Sequence, residues 1–351
     1  MRDVAVISFA QLPNVRHDYD REEVELVHPV VVEAMKNTGL ERSEIGFTVS
    51  GSSDYLLGRP FSFVTALDAV APWPPIAESH VEMDGAWALY EAWIRLQHGD
   101  IDTALVYAYG KSSLGDLPRV LNTQLDPYYL APLGLDAISL AALQARAMID
   151  AGVCTEAQMA KVAVSNRKNA MNNPFAQLKG DFDSNALLEQ PYLANPLRQH
   201  DCPPISDGAC AVILAAGDRA RDLCKKPAWI RGIDHRIEAH SLGARKLTES
   251  TSTAISAKKL DLANKTLDIA ELHAPFTHQE VLLKTALGLS SDTSINPSGG
   301  ALAANPMMVA GLTRIGEAAS RLSAGDGKCG IAHATSGPCL QQNLVCLLEV
   351  D

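Results

Sequence analysis

Between positions 85 and 96 the chain reads Gly-Ala-Trp-Ala-Leu-Tyr-Glu-Ala-Trp-Ile-Arg-Leu, a helical run that is apolar on almost every side. A helix apolar all round is a buried helix, so its first turn is expected inside the protein. Such a turn presents unpaired N–H groups and a partial positive charge, a setting for an anion, a nucleophile or a developing oxyanion. Two carboxylates, Glu82 and Asp84, stand at that point. Asp84 also has a simpler reading, as the helix N-cap.

Around this helix the periodicity alternates. Residues 4–9, 44–50 and 103–109 are short apolar runs of strand length, and 21–36 carries apolar residues at helical spacing. Strands alternating with helices predict an α/β fold with helices over a mainly parallel sheet. Residues 112–190 differ in texture, with Pro118, Pro132 and Asn172-Asn-Pro174 marking loops around helices expected at 139–151 and 155–171. From Pro227 the first pattern returns. Strands are expected at 229–233, 266–272, 328–333 and 343–349, with a long helix over 306–322. The repeated order argues for an internal duplication: an N-terminal half over 1–225, carrying the insertion at 112–190, and a C-terminal half over 226–351.

Composition narrows the classes of function. A net charge of −11 and the absence of any basic run argue against a nucleic-acid surface. The seven cysteines are scattered with no C-x-x-C pair, which predicts a reducing, cytoplasmic setting and no metal site. No apolar run approaches the roughly 20 residues of a membrane span, and the first residues read as a strand rather than a signal peptide.

Three motifs keep a recognisable order: Gln158 to Gln177 with its Ser165-Asn-Arg-Lys-Asn169 core, then Asn195-Pro-Leu-Arg198 with Ser206-Asp-Gly-Ala209, then Asn296-Pro-Ser-Gly-Gly300. With these the chain resembles the thiolase superfamily, specifically the sterol-carrier-protein-type thiolases and their lipid-transfer-protein relatives. The resemblance covers most of the chain. It implies a duplicated αβαβα five-layer α/β fold and an inserted loop domain that receives coenzyme A.

It also implies an active site built from four loops, here Glu82-Met-Asp-Gly85, His273-Ala-Pro-Phe276, Asn305-Pro306 and His333-Ala-Thr-Ser-Gly337. The first loop carries the nucleophilic cysteine in a thiolase, where this chain has Glu82; the second carries another cysteine, where this chain has Pro275. The third supplies a histidine in Gly-His-Pro, where this chain has Ala304-Asn-Pro306, one residue short of the usual spacing. A carboxylate does not form the thioester that Claisen chemistry uses, and proline is neither acid nor base, so conventional thiolysis is not expected. Cys202 and Cys339 lie elsewhere in the sequence and are not at the helix start.

Glu82, Asp84, His273, Asn305 and His333 remain as candidate catalytic residues, expected to converge in one pocket. The resemblance extends to thiolase-like aldolases of steroid side-chain degradation, which cleave a β-hydroxyacyl-CoA into a ketone or aldehyde and a shorter acyl-CoA. That chemistry needs a base for the β-hydroxyl, donors for the enolate oxygen and an acid for the α-carbon. A carboxylate or a histidine is the expected base, Glu82 ahead of Asp84 among the carboxylates because Asp84 is the more plausible cap, with His273 and Asn305 as donors; Tyr107, Tyr109, Tyr128 and Tyr129 are alternative proton donors. No lysine lies in the four loops, which argues against a Schiff base. Coenzyme A enters only as part of the substrate, with no covalently bound cofactor. The resemblance implies a dimer, with itself or with a second thiolase-like chain, and a separate zinc-binding OB-fold partner of the DUF35 type. The competing expectation is a non-catalytic subunit that pairs with an active homologue.

Overall fold

The computed structural model describes every residue except 59 and 71–75. Its strands are β1 (Val4–Gln11), β2 (Phe47–Gly51), β3 (Glu78–Val81), β4 (Thr103–Lys111), β5 (Tyr192–Ala194), β6 (Leu197–Arg198), β7 (Asp207–Ala216), β8 (Ala228–Ile237), β9 (Ile269–Leu272), β10 (Ser294–Ile295), β11 (Cys329–Ser336) and β12 (Gln342–Glu349). Ten of them form one sheet in the order β10-β9-β11-β12-β8-β1-β7-β4-β2-β3, and β5 pairs with β6 apart from it. Each half of the large sheet has the same order. Counting strands along the chain within each half, it runs third, second, fourth, fifth, first in both.

The sheet is mixed rather than mainly parallel. β2 runs parallel to β3 and β4, and β9 parallel to β10 and β11. The pairs β1–β7, β4–β7, β8–β12, β11–β12 and β1–β8 are antiparallel. β11 reaches β12 through residues 337–341 alone, too short for the crossover that a parallel pair requires.

Three apolar clusters define the layers. The middle one encloses the helices Gly85–Gln97 and Ala310–Ala324, packed on by strands from both halves. On the outer face of the N-terminal half, the helices Glu23–Thr38 and Phe63–Val70 cover β1, β4 and β7. On the outer face of the C-terminal half, Thr277–Leu287 and Ala137–Asp150 cover β9, β11 and β12. The helix over 85–97 is buried at its start, Gly85 to Leu89, and reaches the surface only at its far end, where Ile94 is 39% exposed. Its entry depends on close backbone approach. A Cβ on Gly51 would lie 2.6 Å from the nitrogen of Gly85, and one on Gly85 would lie 2.6 Å from the Cβ of Ala108.

The second central helix starts four residues later than the periodicity predicts, at Ala310. The carbonyl of Met308 is taken by the N–H of Gly85 at 2.8 Å, and the N–H of Met307 by Ser112 Oγ at 3.0 Å. Residues 305–309 are thereby held as a loop, with Met308 at φ 68°, between the starts of the two central helices. No described helix is long and apolar enough to cross a membrane.

Candidate functional site

Above the starts of the two central helices lies a cavity of about 280 Å³. Leu117, Leu121, Leu125, Ile138 and Leu140 of the inserted segment form one wall, and Pro275, Phe276, Met307 and Met308 another. The polar side chains are fewer: Asp84, Ser112, Gln124, Asp136, His273, Gln279, Asn305, Thr335 and Ser336. An apolar cleft with a small set of convergent polar groups is the form expected of a small-molecule site.

Of the five residues singled out from sequence, Asp84, His273 and Asn305 line this cavity and Glu82 and His333 do not. The N–H of Met83 bonds back to Val81 O at 2.7 Å, a tight turn that brings Asp84 to the helix start and sends Glu82 outward. Glu82 is 44% exposed; it accepts from Asp54 N at 2.6 Å and meets His80 Nε2 at 3.3 Å. His333 lies in β11 between Ala332 and Ala334 of the middle cluster, so its ring points away from that cluster, on the side of Thr335, and is fully buried below the lining. There Nε2 meets Asn343 Oδ1 at 2.9 Å, and burial pushes the ring down to about 4. The expectation of one pocket shared by all five is corrected accordingly.

Asp84 is 2% exposed and joins the two central helices. Its Oδ1 accepts from Ala86 N at 2.9 Å and Leu312 N at 3.0 Å, and its Oδ2 from Gly311 N at 2.9 Å. Burial raises its carboxyl above the ordinary carboxylate range, against the pull of those three N–H bonds.

His273 follows the end of β9. Asn296 Oδ1 accepts from Leu272 N at 2.6 Å, its Nδ2 donates to Glu280 Oε2 at 2.8 Å, and Ser298 caps buried Glu271, so Asn296-Pro-Ser-Gly-Gly300 fixes this strand end. The ring's tautomer is set by its neighbours. Thr335 N can only donate, and it meets Nδ1 at 3.3 Å; the proton therefore sits on Nε2, which donates to Asn305 Oδ1 at 3.0 Å. Burial, then the neighbouring His333, hold His273 down at about 3, so it is neutral at neutral pH. Asn305 is pinned by its own N–H to Ser206 Oγ at 3.0 Å. With its carbonyl end turned to His273, its Nδ2 donors have no partner among the described residues and are left for a ligand in the cavity.

This ring supplies a pH test. A histidine whose folded pKa is depressed contributes stability fully above the unfolded value of about 6.5 and loses it as the pH falls toward the folded value. Wild type is therefore expected to lose stability relative to His273→Gln below pH 6.5, by up to about 1.4 kcal/mol per pH unit. Urea unfolding of the two proteins between pH 7 and 5 measures it, and a pH-independent difference would refute the buried neutral ring.

Cys202 and Cys339 also line the cavity. Burial pushes their thiols up to about 12 and about 11, and each donates to a backbone carbonyl at 3.5 Å, Arg198 O and Leu140 O. Neither is a thiolate at neutral pH. The four tyrosines are not in the lining: Tyr107 and Tyr109 are buried in the outer N-terminal layer, and Tyr128 and Tyr129 are 82% and 78% exposed. Asp136 was missed from sequence because the helix was expected to begin at Ser139. The helix is Ala137–Asp150, Asp136 is its N-cap, and an Asp just before an apolar run was the available signal.

No protein-family model matches the chain. It is 28% identical over 367 residues to the acetyl-CoA acetyltransferase of Methanothermobacter thermautotrophicus, covering 96% of this chain and 95% of that protein. It is 23% identical over 221 residues to the 17-hydroxy-3-oxo-4-pregnene-20-carboxyl-CoA lyase of Mycobacterium tuberculosis, covering 60% of this chain and 57% of the lyase. Among solved structures, the Ltp2-ChsH2(DUF35) aldolase superposes with a TM-score of 0.81 at 20% identity, over 99% of this chain and 98% of that one. Human mitochondrial 3-ketoacyl-CoA thiolase superposes with a TM-score of 0.78 at 14% identity, over 100% and 99%. At those identities the structures speak for the fold. With the duplicated sheet and the sequence likeness together, the chain is thiolase-like, resembling the sterol-carrier-protein type and the thiolase-like aldolases.

Proposed function

We propose that this chain is a thiolase-fold retro-aldolase, cleaving a β-hydroxyacyl-CoA into a ketone or aldehyde and a shorter acyl-CoA. The observation that carries the reading is the His273–Asn305 pair, whose free amide donors face an apolar cavity while both cavity thiols are held protonated. Retro-aldol cleavage asks for such a site. Breaking the Cα–Cβ bond leaves an electron pair that spreads onto the thioester oxygen as an enolate, and fixed N–H donors stabilise that charge in a dry setting. No acyl-enzyme forms, so no thiolate is required.

The likeness to a pregnene-carboxyl-CoA lyase and the mainly apolar walls support a bulky steroid side-chain thioester as the substrate class. The likeness to an aldolase solved with a DUF35 protein supports a separate DUF35-type partner. A dimer, with itself or with a second thiolase-like chain, and a cytoplasmic, lipid-catabolic setting belong to the same proposal.

The test is cleavage of a steroid side-chain β-hydroxyacyl-CoA by the full chain, with and without a DUF35-type partner. Release of a ketone or aldehyde together with a short acyl-CoA is expected. Glu82→Gln should change the rate by no more than about fivefold, since an exposed pair of this kind is worth at most about 1 kcal/mol. No turnover under either condition, with firm pairing to a second thiolase-like chain, would instead make this a non-catalytic subunit.

A further inference from the structure

Resting on the retro-aldolase reading, we propose that Asp136 is the base that takes the β-hydroxyl proton. Two carboxylates line the cavity. Both oxygens of Asp84 are committed to backbone N–H groups of the two central helices, three bonds in all. Asp136 is different. One of its oxygens, Oδ1, accepts from Ser139 N at 2.6 Å as the cap of the helix Ala137–Asp150, while Oδ2 has no partner among the described residues. The cap bond fixes the carboxyl plane, so the free oxygen is held rather than swinging in solvent. Around it the lining is Leu135, Ala137 and Ile138, with Cys202 close enough to feel its charge.

The other candidates are spent. His273 has its only lone pair on Nδ1, occupied by Thr335 N–H. Asn305 offers donors, and Glu82 is outside the cavity. Asp136 is the remaining group with an unshared lone pair at a fixed position, a requirement for a general base.

The step balances without a co-reactant. Asp136 Oδ2 takes the β-hydroxyl proton, the C–O bond becomes a carbonyl, and the Cα–Cβ pair moves into the enolate held by Asn305 Nδ2. Asp136 then returns the same proton to Cα, which releases the shorter acyl-CoA and restores the carboxylate. In the reverse direction Asp136 removes an α-hydrogen from the acyl-CoA product.

Asp136→Asn and Asp136→Ser separate the base from the cap, because both keep a good N-cap and neither can take the proton. In D2O the full-length wild type should exchange the α-hydrogens of propionyl-CoA as well as cleave the β-hydroxyacyl-CoA. Both variants should lose about 100-fold in kcat for exchange and cleavage, with KM within about threefold and an unchanged melting temperature. Variants that retain wild-type rates would reduce Asp136 to a helix cap and overturn the proposal while leaving the retro-aldolase reading standing. A wild type that neither exchanges nor cleaves would overturn that reading, and Asp136 with it.

Discussion

Asn305→Ala is expected to lower kcat for β-hydroxyacyl-CoA cleavage by about 10²–10³-fold, the usual cost of one oxyanion donor, with little change in KM. The split follows from where the charge is. In the bound substrate the thioester oxygen is a neutral carbonyl and the Asn305 amide gains little from it; in the transition state that oxygen carries the enolate charge. Alanine removes both Nδ2 donors and, with Oδ1, the acceptor that His273 Nε2 uses. His273→Ala should cost less than Asn305→Ala, because His273 acts by holding the carbonyl end of Asn305 through Nε2. With His273 gone the amide can still donate, but it is free to rotate. The double variant should then be no slower than Asn305→Ala alone, since the two residues form one device. Steady-state kinetics on the four proteins decides this, and additive losses would mean that His273 contacts substrate on its own account.

The parts of this molecule that were legible in sequence are those governed by local periodicity. The helix over 85–97 shows itself because no face of it is polar, and the duplication shows itself because strand, helix and turn signals recur in one order. What escaped was set by contacts distant in sequence. Helix Ala310–Ala324 begins late because Met308 spends its carbonyl on Gly85, more than two hundred positions earlier. Glu82 and Asp84 are two residues apart and were indistinguishable as residues beside a buried helix start. A single N–H bond from Met83 to Val81 sends one to the surface and the other into the core. His333 illustrates the same limit within a strand: alternation puts it on the side of cavity-lining Thr335, away from Ala332 and Ala334, but only the packing shows its ring buried against Asn343 instead of lining the cavity. His273 and Asn305 were reachable because they stand in loop motifs whose order the resemblance supplied. Asp136 was not, because its role depends on a cavity assembled from segments that sequence alone does not bring together.

Asp84→Ala should be the most destabilising single change at this site, by about 3–5 kcal/mol, a large share of the 5–15 kcal/mol that folded domains typically retain. The reason is geometric. Asp84 answers three backbone donors, one at the start of the helix Gly85–Gln97 and two at the start of Ala310–Ala324, and all are buried away from water. Without the carboxylate those N–H groups, and two partial positive helix ends facing each other, have no acceptor to replace it. Asp84→Asn should fall between, because one amide oxygen can accept while the NH2 group confronts a donor. A comparison within the same chain isolates the effect. Asp116 also caps a helix, Leu117–Asn122, but it sits at the surface and accepts from one N–H, Arg119 N at 3.3 Å. Its alanine variant should cost about 1 kcal/mol, the ordinary value for an N-cap. Urea midpoints for Asp84→Ala, Asp84→Asn and Asp116→Ala should therefore fall well below, moderately below and close to that of wild type. If Asp84→Ala proves no worse than Asp116→Ala, the carboxylate is an ordinary cap and the two central helices are held together by packing alone.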